Sequence, residues 1–346
     1  MCYNKGRREG KMKQILLTGA AGSVGYETLK QLVQRGYEVN VLELPTKKNK
    51  KRLKPFMEKV HIFYGDINDP VIVRAALQGV AVVIHLAAII PPLVDLKPEL
   101  TRKVNFYGTK TLLEELKDQN SEGFFIYASS VSVYGDRTSE PWIQVGDPLL
   151  PSEGDYYAQT KIETEKLIQE MGLSYTIFRL TGIMGHPAID PLMFHMPLDT
   201  KLEIASTQDT GFAFAEAVSH QKELEGQIFN LGGGAACRTT YREFLIQMFQ
   251  IYGLNYHYMK EVAFAEQNFH CGYFLDGDIL DDILHFRNDT LDTYYQRVKE
   301  ETKGVTRFFS KIFSRPVIYF LSKKSEPLQA KKKNNKKLMH RFFKEK

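Results

Sequence analysis

From Gln14 onward, short apolar runs alternate with longer segments whose apolar residues recur every three or four positions. Residues 15–17, 38–42, 60–64, 80–86, 123–128 and 174–180 read as strands. Between the first two, Leu29, Leu32 and Val33 repeat at helical spacing, and Gly36 stands where such a helix would stop. Asp69 before Pro70 predicts a helix cap, with Val71, Ala75 and Leu77 as the buried stripe and Gly79 as the close. Alternation of this kind folds into a parallel sheet covered by helices on both faces, a doubly wound α/β architecture.

After Leu180 the rhythm breaks. Gly182, His186, Pro187, Pro191 and Pro197 punctuate a stretch expected to be loop lining a cleft. One more strand, residues 227–231, returns to the sheet. The Gly232-Gly233-Gly234 run that follows lacks the Lys-Ser/Thr of a phosphate-binding loop and reads as a connector. Thr240 and Glu243 form a capping box at the start of the next helix. No internal repeat is visible.

With 346 residues, 43% of them hydrophobic, the chain can bury a large core in one two-lobed unit with added ends. Cys2, Cys237 and Cys271 are odd in number and widely spaced, which gives neither a disulfide framework nor a zinc site and points to a reducing, cytoplasmic setting. Residues 1–13 are polar and basic, without the apolar run of a secretory signal, and residues 1–11 read as an extension ahead of Met12. The longest apolar stretch, 80–94, contains His85, Pro91 and Pro92 and is too short to span a bilayer.

The total charge of +5 hides an uneven distribution. Residues 303–346 carry a net +12, so residues 1–302 carry −7. In that tail Phe308, Phe309, Ile312 and Phe313 fall on one side of a possible helix flanked by Arg307, Lys311 and Arg315; Pro316 then interrupts. An apolar face with basic flanks suits residues 305–346 to an anionic membrane surface. The alternative is that the aromatics pack on the body and the lysines are solvated. Nucleic-acid binding is disfavoured by the acidic body and the lack of a recognisable module.

The richest chemistry lies in residues 14–37. A strand, a glycine turn and a helix follow in the order that a nucleotide pyrophosphate needs. Gly19 permits the sharp turn, Gly22 removes a side chain from the phosphate path, and Gly25 lets the helix lie close on the strand. Glu43, at the tip of the second strand, suits the hydroxyls of an adenosine ribose and repels a 2′-phosphate, which favours NAD; Lys47 and Lys48 leave NADP open.

Tyr157 and Lys161, four apart in a helix-forming segment, share one face. An ammonium beside a phenol favours the phenolate, so tyrosine can exchange a proton with an alcohol or carbonyl oxygen. Ser129 and Ser130 follow the strand at 123–128, at the carboxyl end where open α/β sheets bind ligands.

Six motifs in order resemble the extended short-chain dehydrogenase/reductase superfamily, also called the NAD-dependent epimerase/dehydratase family. They are Thr18 to Gly25, Gly65-Asp66-Ile67, His85-Leu86-Ala87-Ala88, Asn105 to Thr109, Ser129 to Gly135, and Tyr157 to Lys161. The resemblance spans residues 12 to 304. It implies a Rossmann-type NAD(P)-binding domain at 12–180, a smaller substrate lobe at 181–302 and a basic tail at 303–346. The same resemblance puts Gly19, Ala21, Gly22, Ser23, Val24, Gly25, Glu43, Asp66, Ile67, Leu86, Ala87, Ala88 and Asn105 at the cofactor, with Asp66 on the adenine. Ser130 and Tyr157 would hold the substrate oxygen, and Tyr157 and Lys161 would also meet the cofactor. Ser132, Thr181 and His186 are the substrate-contact candidates, while His85, at a buried strand end, reads as structural.

Departures from the family pattern narrow the activity. The family's 4,6-dehydratases carry Asp-Glu directly after the catalytic hydroxyl, where this chain has Val131-Ser132. No arginine stands between Arg179 and Arg238 to meet a substrate diphosphate. The expectation is an NAD(P)-dependent oxidoreductase acting on the alcohol or carbonyl of a small molecule. A nucleotide-sugar epimerase is the alternative and a non-catalytic NAD(P)-sensing regulator a lesser one, with a homodimer left open.

Overall fold

The computed structural model describes residues 13–185 and 191–344. The N-terminal extension, Cys2 and His186 therefore lie outside the described residues. Twelve strands are described: β1 Gln14–Thr18, β2 Glu38–Glu43, β3 His61–Tyr64, β4 Val80–His85, β5 Phe124–Ser130, β6 Trp142–Ile143, β7 Ser174–Leu180, β8 Gly182–Met184, β9 Lys201–Ser206, β10 Gln227–Leu231, β11 Arg238–Thr240 and β12 Tyr273–Phe274. The first helices are α1 Ser23–Gln34, α2 Lys47–Leu53, α3 Pro70–Ala76, α4 Leu93–Leu96, α5 Pro98–Arg102 and α6 Thr109–Gln119. The long α7 Tyr156–Glu170 leads to α8 Thr207–Glu216, α9 Gln221–Leu224 and α10 Tyr241–Ile251. The chain ends in α11 Gly277–Leu284, α12 Leu291–Glu301, α13 Gly304–Ile312, α14 Ser314–Ser322, α15 Glu326–Lys333 and α16 Lys336–Phe342.

Seven strands form the central sheet in the order β10-β7-β5-β4-β1-β2-β3, every pair parallel. The order reverses between β1 and β4, which opens a crevice at their carboxyl ends, where ligands bind in such sheets. β10 closes the far edge and pairs with β7 from Gln227↔Thr176 to Leu231↔Leu180, the returning strand expected from the sequence.

Why these residues form strands is visible in their burial. Ile15, Leu17, Val39, Val41, Val82, Ile84, Phe124 and Ile126 join one core layer, while Leu16, Leu42, Val83, Phe125 and Tyr127 join the layer on the other face. Helices on both sides make the strands apolar at nearly every position. The Asp69 carboxylate caps α3 by accepting from Val71 N at 3.0 Å, and Gly79 closes the turn at φ +76°. The expected stripe has the wrong phase: Val71 and Ala75 face solvent, and Val73, Ala76 and Leu77 are buried. Helical spacing of three and four from Val73 selects that set, because Val71 lies on the opposite side of the first turn.

A second apolar cluster gathers Phe194, Leu202, Phe244, Met248, Phe264, Tyr294 and Val298, and it includes Ile318 and Leu321 from α14. Phe342 and Phe343 pack against Ala265. Much of the basic tail is thus folded onto the body. Pro316 does not break the helix but sits in the first turn of α14, where it forfeits no hydrogen bond. Among the described residues no helix is long and apolar enough to cross a membrane.

Candidate functional site

The glycine turn is shaped by close backbone contact. Gly19 adopts φ +73°, and a Cβ there would lie 2.7 Å from Ala87 N, so only glycine lets β1 and the loop after β4 meet. A Cβ on Gly25 would lie 2.1 Å from Gly19 O. Gly22 is the α1 N-cap and offers no side-chain cap, which leaves the helix N-terminus to an external anion. Thr18 holds the neighbouring loop by accepting from Ala87 N at 3.2 Å and, through its carbonyl, from Leu86 N at 3.3 Å.

Glu43 stands at the end of β2 beside this turn. Its Oε2 accepts from Ala21 N at 2.9 Å and its Oε1 from Asn49 Nδ2 at 3.0 Å, so the carboxylate is oriented by the loop it serves. Asp66 is exposed after β3; the backbone and side chain of Asn68 hydrogen-bond to it and hold its carboxyl below the usual range. The Ile67 side chain is buried in the core, so its backbone alone can meet a ligand. Uncapped helix, glycine approach and carboxylate at the β2 tip together fit an adenine dinucleotide.

At the carboxyl end of β5 the Ser130 hydroxyl accepts from Ser132 N at 3.2 Å, and it lies near enough to the Tyr157 phenol to influence its proton. Asp155 starts α7 by accepting from Ala158 N at 2.9 Å, which fixes the first turn that carries Tyr157. Lys161 follows one turn later and is buried. Its ammonium donates to Ala128 O at 2.6 Å and Tyr127 Oη at 3.1 Å, and lies 5.6 Å from the Tyr157 ring centroid. Burial pushes Lys161 down to about 7, opposed by the Glu165 carboxylate.

The same burial raises the Tyr157 phenol, with Asp155 adding to it and the Ser130 hydroxyl opposing it. The phenol is therefore raised and not lowered as its spacing from Lys161 suggests, because desolvation sets the direction in this arrangement.

Under the site runs a polar network that sequence reasoning did not find. Glu165 accepts from the Ser129 hydroxyl and pairs with Arg179 Nη2 at 2.7 Å, both side chains buried. Arg179 Nη1 donates to Tyr134 Oη at 2.8 Å, and Tyr134 donates to Asn230 Oδ1 at 2.8 Å. The available signal is Glu165 itself, a carboxylate one turn beyond Lys161 on the inward face of α7.

Other candidates find different places. His85 bridges Thr18 Oγ1 at 2.6 Å and Thr109 Oγ1 at 2.8 Å, and burial pushes it down to about 3, a neutral structural link. Asn105 clamps the loop after β4, giving Nδ2 to Ile89 O at 2.9 Å and accepting from Ile89 N at 2.7 Å. Two substrate candidates are buried. Thr181 donates its hydroxyl to Glu203 O at 2.5 Å inside the fold, and Ser132 is fully buried in a turn packed on Ile143 and Phe274. The Ser132 hydroxyl has no hydrogen-bond partner among the described residues.

Comparison with known proteins adds findings of three kinds. Residues 15–195 match the model of the NAD dependent epimerase/dehydratase family. The chain is 29% identical over 242 residues to the mouse (Mus musculus) sterol-4-alpha-carboxylate 3-dehydrogenase, decarboxylating, covering 65% of this chain and 63% of that protein. It is 30% identical over 187 residues to a vaccinia virus (strain Western Reserve) 3 beta-hydroxysteroid dehydrogenase/Delta 5-->4-isomerase, covering 50% and 53%. The chain thus spans less than two thirds of the length of these curated relatives. Among solved structures, a dTDP-glucose 4,6-dehydratase from Streptomyces venezuelae with NAD bound superposes with a TM-score of 0.70 at 24% identity, over 84% of this chain and 98% of that one. A UDP-glucose 4-epimerase from Bifidobacterium longum in complex with NAD+ and UDP gives 0.68 at 18% identity, over 86% and 100%. At these identities the two structures establish the shared fold.

Proposed function

The chain belongs to the NAD-dependent epimerase/dehydratase family, and on that premise we propose that it is an NAD-dependent oxidoreductase acting at an alcohol or carbonyl carbon. The observation that carries this reading is the meeting of Ser130, Tyr157 and the buried Lys161 at the carboxyl end of β5, with the Lys161 ammonium 5.6 Å from the Tyr157 ring centroid. The backbone of Gly19, Ala21, Gly22, Ser23, Val24 and Gly25 would hold the pyrophosphate, Glu43 the adenosine ribose and Asp66 the adenine, with Ala87 and Ala88 beneath. When bound, the nicotinamide ring supplies a hydride donor or acceptor.

The chain's own residues manage the oxygen and the proton. Ser130 and Tyr157 grip the substrate oxygen, and Tyr157 gives or takes the proton as the carbon changes oxidation state. Lys161 stands below as the charge that stabilises phenolate once it forms, oriented by Ala128 O and Tyr127. Glu165 and Arg179 brace the floor of the site.

An oxidoreductase is favoured over an epimerase by the arginines. Arg179 is paired with Glu165, Arg238 with Glu203, Arg242 with Asp199 and Glu261, Arg287 with Asp278 and Arg297 with Asp289. Each of these guanidinium groups thus already has a carboxylate partner. The sterol and steroid dehydrogenases among the relatives point the same way. The test is absorbance at 340 nm with NAD and a panel of secondary alcohols, 3β-hydroxysterols and UDP-sugars. Net NADH from an alcohol is expected; isomerised UDP-sugar without net NADH would replace this reading with the epimerase.

A second reading concerns residues 305–346. Several of their aromatics remain exposed among basic residues, which supports contact with an anionic membrane surface. Sedimentation with anionic vesicles checks it, and a chain left in the supernatant at low salt would remove it.

A further inference from the structure

α13 is an amphipathic helix turned inside out. The residues that approach the body are polar: Arg307 and Ser310 are partly buried, and a Cβ on Gly253 would lie 2.4 Å from the Arg307 carbonyl oxygen. The apolar arc faces away. Phe308, Phe309, Ile312 and Phe313 are 62%, 53%, 57% and 52% exposed. At about 100° per residue they span less than half of the helix circumference. Phe320 of α14 is exposed as well, while Ile318 and Leu321 on its other side anchor that helix in the core. Soluble proteins rarely leave a contiguous apolar face of this kind in water.

Two further observations identify what covers it. Residues 303–324 contain six Lys or Arg and no Asp or Glu. Beside α13 a cavity of about 650 Å³ opens, walled by Arg307, Lys311, Asn255 and Ser314. Arg307 donates one N–H to Lys299 O at 3.0 Å, and its buried Nε has no hydrogen-bond partner among the described residues. The lysine run on α15 and α16 lacks a matching apolar face, because Ala330, Phe342 and Phe343 are buried against the body and Lys331 pairs with Glu266 at 3.5 Å.

We propose that α13 and the start of α14 are the membrane-docking element of this protein. Phe308, Phe309, Ile312 and Phe313 enter the interface of an anionic bilayer, and the exposed Lys311 beside them meets lipid phosphates. This rests on the reading that the tail contacts a membrane and names the part that does so. The Ser314 hydroxyl accepts from Asn255 N at 2.7 Å, which holds the helix corner, and with it the apolar face, in a fixed attitude to the body.

The experiment is co-sedimentation of the full chain with phosphatidylcholine vesicles and with vesicles containing 30 mol% phosphatidylglycerol, at low salt. The wild type should bind the anionic vesicles. F308S/F309S/I312S, confined to exposed positions, should lower that affinity more than tenfold with an unchanged melting temperature. Lys311→Gln should lower it about fivefold on anionic vesicles alone, as expected for one surface charge near the bilayer. K332Q/K333Q/K336Q/K337Q should change it less than threefold. A wild type that binds no vesicle sinks the membrane reading and this proposal together. Binding that survives the triple variant but is lost in the lysine variant keeps the membrane reading and overturns this proposal. So does a wild-type dimer, seen by light scattering, that the triple variant dissociates, because the face would then be covered by a second copy.

Discussion

At Lys161 burial and a neighbouring carboxylate pull in opposite directions, and burial prevails, so the ammonium loses its proton near pH 7. A lysine lowered in the folded state costs stability below its folded pKa and regains it as pH rises toward the unfolded value. Asp209 shows the opposite case. Its Oδ2 accepts from Asn288 N at 3.1 Å and Asp289 N at 2.8 Å, yet burial raises it from 3.8 to about 6. The folded protein then binds the extra proton between those values, so this carboxyl's contribution to stability is present below pH 3.8 and lost as pH rises through 6. Asp209→Asn keeps an acceptor for the two amides and removes the titration. Urea unfolding should show the wild type losing up to about 3 kcal/mol relative to the variant between pH 4 and pH 7. Equal slopes would refute the assignment. Tyr157 and Lys161 are legible in the sequence because spacing alone puts them on one face. The burial of Thr181 and Ser132 is not legible, because a hydroxyl near a strand end carries no mark of which way it points.

At the scale of elements, helix punctuation and strand pairing are the most readable features. Thr240 and Glu243 form the expected capping box on α10, each side chain hydrogen-bonded to the other's backbone. Thr240→Ala should cost about 1 kcal/mol in denaturant unfolding. The phase of α3 is less readable, since Val71, Ile72 and Val73 are adjacent and only the packed sheet selects which of them is inside. The network on α7 is the least readable, because Glu165, Arg179 and Tyr134 come from three elements that the sequence does not place side by side. Glu165→Gln leaves Arg179 buried without its counter-charge and should lower stability by about 3–5 kcal/mol. It should also reduce turnover, since Ser129 and Lys161 lose their shared neighbour; a variant as stable as the wild type would contradict the network's role.

For the molecule as a whole, a parallel sheet with a switch point between β1 and β4 brings the glycine turn, Glu43 and the Ser130–Tyr157 pair to one edge. Ligand that binds the folded chain alone adds stability by mass action, about 2.7 kcal/mol at a hundredfold excess over Kd. NAD should therefore raise the melting temperature by several degrees, and NADP by less, because Glu43 disfavours a 2′-phosphate. A larger shift with NADP would reverse the cofactor assignment. The overall chemistry is legible from six ordered motifs, whereas the inside-out character of α13 is not, because its sequence pattern is that of any amphipathic helix and only the fold shows which side meets the body. The most direct measurement compares wild type with Tyr157→Phe for NAD affinity by calorimetry and for NADH formation with a turned-over alcohol. Unchanged affinity with turnover reduced at least a hundredfold is the predicted result. Turnover equal to the wild type would contradict the account.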